Sequence, residues 1–103
     1  MNSAEAKRLR DAGWSVGDAA DFLGLSAADA AIVEIRASLA TALRRERTAR
    51  GLSQATLAAR LRSSQSRVAK MEAGDPTVTL DLLIRSLLAT GTDRRTIGRL
   101  IVA

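Results

Sequence analysis

From Ile32 onward the apolar residues of this chain recur at steps of three and four, and each interruption is a short polar joint carrying a helix-capping residue. Ile32, Ile35, Leu39, Ala42 and Leu43 follow that spacing, which puts them on one face of a helix. No Gly or Pro lies between Gly24 and Gly51, so one long helix is expected from Ala27 to about Arg50. Ser26-Ala27-Ala28-Asp29 fits its start in the manner of a capping box. Ser53 is placed to cap a helix over Gln54–Leu61, in which Leu57, Ala58 and Leu61 share a face. Ser64 is placed to cap the next, Gln65–Ala73, in which Val68 and Met71 share a face and Gly74 is the stop. Asp75-Pro76 reads as a turn. Thr79 then caps Leu80–Ala89, Gly91 ends that helix, and Thr92 is the expected cap of a last helix, Asp93–Val102.

Upstream, Asn2 or Ser3 is placed to cap a short helix over Ala4–Ala12 with Gly13 as its stop, and Asp18–Leu23 fits one or two further turns ended by Gly24. Nothing reads as a strand. The expected fold class is therefore all-α, a compact five-helix body with a short helical N-terminal extension. With 103 residues the chain has room for one small core, built from Leu, Ile, Val and Ala because Trp14 and Phe22 are its only aromatics. The expected organisation is an extension over residues 1–31, packed on a body over residues 32–103.

Several function classes lose their equipment. The chain has no Cys, so no disulfide or thiolate metal site is expected. It has no His, the commonest metal ligand and general base. No cofactor is expected, and neither is an enzyme. A nucleophilic Ser66 with Lys70 as its base would sit on an exposed basic helix without the enclosed pocket such chemistry needs. No stretch approaches the length of a membrane span or a signal peptide, which makes the cytoplasm the default compartment.

The charge is unevenly spread. The chain carries +5, yet residues 1–31 hold Lys7, Arg8 and Arg10 against Glu5, Asp11, Asp18, Asp21 and Asp29, a net of −2. The remainder carries +7, and Arg44 to Lys70 contains eight basic residues against the single acid Glu46. This asymmetry fits a polyanion-binding body with an acidic extension.

The segment from Gly51 to Gly74 gives the charge a shape. Two short helices separated by about three residues cross steeply, and the second can project into a DNA major groove. Gly51-Leu52-Ser53-Gln54, Leu57-Ala58, Ser64-Gln65-Ser66, Val68, and Glu72 two residues before Gly74 resemble the phage-repressor/Cro (XRE) type of helix-turn-helix family, over about Ile35 to Leu88. The resemblance implies a sequence-specific, DNA-binding transcriptional regulator, expected to be a repressor that binds double-stranded DNA at a palindromic operator. It places Gln65, Ser66 and Lys70 where family members contact base edges, a role their chemistry suits: Gln pairs with adenine, Lys donates to guanine, Ser reads either. It places Gln54, Ser64 and Arg67 at phosphates. It puts Arg47 and Glu72 where family members hold a semi-buried ion pair joining the first and third helices. The turn departs from the family: Arg62 stands where Gly is usual, and Ser63 replaces a more apolar residue. If Arg62 takes a positive φ, the strain is about 1 kcal/mol, which a phosphate contact by Arg62 would offset.

Two expectations concern partners. The last helix carries Ile97, Leu100, Ile101 and Val102, more apolar surface than one face needs, and these residues are the expected homodimer interface. The run from Asp21 to Ala30 is similar in layout to HigA-type antitoxins, small proteins of this family that pair with a toxin. An acidic arm bearing Trp14 and Phe22 suits a small basic toxin protein, so both residues are candidate partner contacts. The preferred reading is that they cover the chain's own first core helix, which would avoid an exposed apolar patch. The alternative function is a protein-binding inhibitor or adaptor in which DNA binding is secondary or lost.

Overall fold

A computed structural model describes residues 26–102. They form five helices: α1 (Ala27–Ala49), α2 (Gln54–Arg60), α3 (Gln65–Glu72), α4 (Leu80–Ala89) and α5 (Arg94–Val102). No strand occurs among the described residues. The described residues are all-α, as the helical periodicity of the sequence predicts. The short helices expected at Ala4–Ala12 and Asp18–Leu23, and the residues Trp14 and Phe22, lie outside the described residues. Contacts divide the chain between Ile35 and Arg36, and the packing described below belongs to the unit that begins at Arg36.

Each helix starts where a side chain satisfies a free N–H group. The Ser26 hydroxyl accepts from the Asp29 amide at 3.0 Å, Ser53 from Thr56 at 3.0 Å, Ser64 from Arg67 at 3.2 Å and Thr79 from Leu82 at 3.1 Å. Caps of this kind stabilise a helix by about 1 kcal/mol each. The last helix differs from expectation. Its cap is Asp93, whose carboxylate accepts from the Thr96 amide at 2.8 Å, and not Thr92. Thr92 is buried, with its hydroxyl 3.1 Å from that of Thr90. The Thr90 hydroxyl in turn donates to the Leu87 carbonyl at 2.6 Å. A hydroxyl used in this interior network is withdrawn from capping, and the next polar residue takes the role.

Helices α1 to α4 end alike. Beyond α1, Leu52 N–H donates to Arg47 O and Gly51 N–H to Thr48 O. The same pair of bonds recurs after α2 (Ser63 to Ala58, Arg62 to Ala59), after α3 (Asp75 to Lys70, Gly74 to Met71) and after α4 (Thr92 to Leu87, Gly91 to Leu88). This Schellman arrangement needs one residue in the left-handed region. Gly51, Gly74 and Gly91 supply it at φ 68°, 70° and 93°, but after α2 the residue is Arg62, at φ 53°.

The core gathers one stripe from each helix of the unit. Leu39, Ala40, Ala42 and Leu43 come from α1, Leu57 and Ala58 from α2, Val68 and Met71 from α3, Leu83 and Leu87 from α4, and Ile97 from α5. Ile32, expected on the same stripe of α1, is 39% exposed. The polar Ser86 is also fully buried; its hydroxyl donates to Leu82 O at 2.7 Å and lies 3.2 Å from the Met71 sulfur. Buried large aliphatic side chains contribute about 1.5–3 kcal/mol each. Here they hold α2 and α3 against one another. On α5, Ile97 turns inward at 6% exposure, Leu100 is half-buried, and Ile101 and Val102 remain 41% and 83% exposed. The face of α5 still free for a partner is thus narrower than its sequence implies.

Candidate nucleic-acid interface

Val68 and Met71 bury one side of α3, and this leaves Gln65, Ser66, Arg67 and Lys70 exposed on the other. The orientation follows from the helical period, since residues three apart share the buried side. All three residues expected to meet base edges are therefore solvent-accessible on one short helix, carried by a core that fixes its direction.

A shallow cleft runs along one side of that exposed strip. Ser64, Ser66, Arg67 and Lys70 line it from α3 and its cap, and Thr77 and Val78 line it from the loop that follows. The lining offers two cationic side chains and three hydroxyls and no carboxylate, a composition suited to an anion such as a DNA phosphate. The Ser64 hydroxyl is 3.2 Å from that of Ser66 while also capping α3, so this expected phosphate contact and this expected base contact are held together.

The loop side of the cleft was not legible as a site in the sequence. Its shape comes from Asp75, whose carboxylate accepts from the Thr77 hydroxyl at 2.6 Å and the Thr77 amide at 2.8 Å. These two bonds hold the Asp75 carboxyl below its ordinary pKa, with smaller help from the charges of Lys70 and Arg36. Arg36, on α1, also donates to the Val78 carbonyl. Asp75-Pro76 signalled the turn correctly, but nothing local pointed to an arginine 42 residues away.

On the other side of the strip, Arg44, Arg47, Gln54, Ala69, Glu72 and Ala73 line a second shallow cleft. Its floor is the expected ion pair. Arg47 Nε donates to Glu72 Oε2 at 2.6 Å and Nη2 to Oε1 at 3.0 Å. Its remaining nitrogen, Nη1, donates to the Leu52 carbonyl at 2.8 Å. The bond to Glu72 raises the pKa of Arg47 against the opposing effect of burial. The Arg47 side chain is 15% exposed and that of Glu72 only 5%. Gln54 Nε2 donates to the same Glu72 oxygen at 3.3 Å. Gln54, expected at a phosphate, thus has one amide hydrogen committed to the ion pair and keeps the other. Arg44, exposed beside it, is a cation that the sequence shows only as one member of a basic run.

Among the described residues no group of side chains could hold a metal ion, and no helix is long and apolar enough to cross a membrane. A short capped α2, a tight turn and an α3 with one buried and one polar side, tied back to the end of α1 by Arg47 and Glu72, form the helix-turn-helix arrangement. The family model described as helix-turn-helix matches residues 43–97, more than half of the chain. The chain belongs to this helix-turn-helix family. Its type is the phage-repressor/Cro one, and as a helix-turn-helix protein it is a DNA-binding transcription regulator. No curated protein and no solved structure matches the chain. Within the helix-turn-helix domain, α3 occupies the position of the recognition helix and α2 that of the helix lying across the backbone.

Proposed function

We propose that the chain is a sequence-specific repressor that binds a palindromic operator as a homodimer and reads it with Gln65, Ser66 and Lys70. The observation that carries this reading is the exposed polar strip of α3, bordered by a cleft with cationic and hydroxyl lining. Gln65 is the first residue of α3, so its amide is free to reach deepest into a groove that the helix enters by its N-terminal end. Ser64 and Arg67 anchor phosphates on one side of the strip, and Arg44 and Gln54 do so on the other. A repressor of this kind acts on the chromosome, which places it in the cytoplasm.

The test begins with selection of a preferred site from randomised duplex DNA. Gln65→Ala is then expected to lose about 1–3 kcal/mol on the selected site and to relax preference at one base position. Equal losses on the selected site and on random duplex would reject the base-reading role.

Binding is also expected to weaken steeply with salt. Several phosphate contacts release their counterions, so affinity falls by about 10-fold or more between roughly 50 and 200 mM salt. A titration that stayed flat over that range would remove the phosphate anchors from the reading.

We further propose that the repressor is the antitoxin of a toxin–antitoxin pair. Two features support this: the similarity of residues 21–30 to the HigA-type layout, and the net charge of −2 over residues 1–31, which complements a small basic protein. The adjacent open reading frame tests it. A small basic toxin that co-purifies with the chain is the expected result, and a neighbour of any other kind rejects it.

A further inference from the structure

Among the described residues, four helices end in the same Schellman arrangement, and three of them place Gly at the left-handed position. The fourth, after α2, places Arg62 there at φ 53°. A residue with a Cβ is strained in that region, and Gly is not. The chain therefore carries strain at the joint of its helix-turn-helix that the same local geometry avoids elsewhere.

The fold gains nothing visible in return. Arg62 is exposed, and its side chain makes no hydrogen bond and no ion pair among the described residues. Its backbone bonds, to Ala59 and from Ser63 to Ala58, are those any residue would make there. A strained residue persists where function retains it, and here the surroundings name the function. Arg62 lies two residues before Ser64, the cap of α3 and part of the cleft lining. No acidic residue occurs between Glu46 and Glu72, so the segment around Arg62 offers an anion nothing but cations.

We infer that Arg62 is an affinity residue held against the stability of the fold: its guanidinium contacts a DNA phosphate at the start of the recognition helix, and the left-handed backbone is tolerated for that contact. The inference rests on the DNA-binding reading above. It assigns an exchange of stability for affinity to one residue in which this chain departs from the family it resembles.

Three variants of the full chain separate the parts. Arg62→Gly removes strain and charge, Arg62→Ala removes charge alone, and Arg62→Lys keeps both. Each is melted, and each is titrated with mixed-sequence duplex DNA over a range of salt. Arg62→Gly is expected to melt about 4 °C above the parent. Its affinity is expected to fall roughly 5- to 10-fold near 0.1 M salt, with the logarithmic salt slope shallower by about 0.9, the signature of one lost phosphate contact. Arg62→Ala should show the same loss of slope without the gain in melting temperature, and Arg62→Lys should match the parent in both. An unchanged salt slope in the Gly and Ala variants overturns the inference, and so does an Arg62→Gly variant that melts no higher than the parent. A parent chain that fails to bind duplex DNA defeats the DNA-binding reading itself, and the titration of the parent shows this before any variant is compared.

Discussion

Arg47→Ala is expected to lower the stability of the chain by about 3 kcal/mol, at the lower end of the range for a broken buried pair, and its melting temperature by about 10 °C or more. The size follows from what is left behind. The Glu72 side chain is 5% exposed and accepts two bonds from Arg47 and one, longer, from Gln54. Without Arg47 the carboxylate keeps only the Gln54 amide as a side-chain partner. The Leu52 carbonyl at the end of α1 also loses its partner. Glu72→Ala should cost less, about 1–3 kcal/mol. The guanidinium it strands belongs to a side chain 15% exposed, still holds Leu52, and has a long stem with which to reach solvent. The double variant should lose less than the sum of the two, because the second change removes a charge that the first had already left unpaired. Thermal melts of all four proteins check this. Additive losses, or a Glu72 variant weaker than the Arg47 variant, would show that the pair is not the tie between α1 and α3.

That pair was visible in the sequence only through family resemblance, and its third member was not visible at all. Gln54 stands 18 residues from Glu72, and no local pattern joins them. Helix limits, by contrast, were written locally. Ser53, Ser64 and Thr79 each cap the helix they precede, because a hydroxyl beside free N–H groups has few better partners. The same rule failed at Thr92, where a better partner existed: the buried Thr90 hydroxyl, brought near by the end of α4. The sequence marks Arg62 only as a residue standing where Gly is usual; the positive φ that brings the strain is a property of the folded turn. Thr77, Val78 and Arg44 joined the candidate interface only once the fold placed them beside α3. Long-range placement of this sort is set by packing, which a pattern of capped helices constrains but does not determine.

In the proposed homodimer paired through α5, Val102→Asp is expected to yield a monomer and to lower affinity for a two-half-site operator by about 10²–10⁴-fold, the gain that linked binding sites normally confer. A single recognition helix reaches only a few base pairs, so specificity at genomic scale needs two copies with half-sites about one helical turn, roughly 34 Å, apart. The monomer offers a surface for the contact in α5. Ile101 and Val102 follow one another there at 41% and 83% exposure, while Ile97 anchors the helix to its own core at 6%. Because Val102 supports nothing within the monomer, Asp at that position should leave the melting temperature of the isolated fold unchanged. In an isologous contact it would bury an unpaired charge near the two-fold axis, and it would do so twice. Base preference within one half-site should survive, since α3 is untouched. Sedimentation of both proteins at micromolar concentration, followed by titration on one and on two half-sites, reads every part of this. A monomeric parent would end the proposal of a homodimer, and a Val102→Asp variant that stayed dimeric would move the interface away from α5. Loss of affinity on a single half-site would show that the substitution had damaged the reading head and not the pairing of two of them.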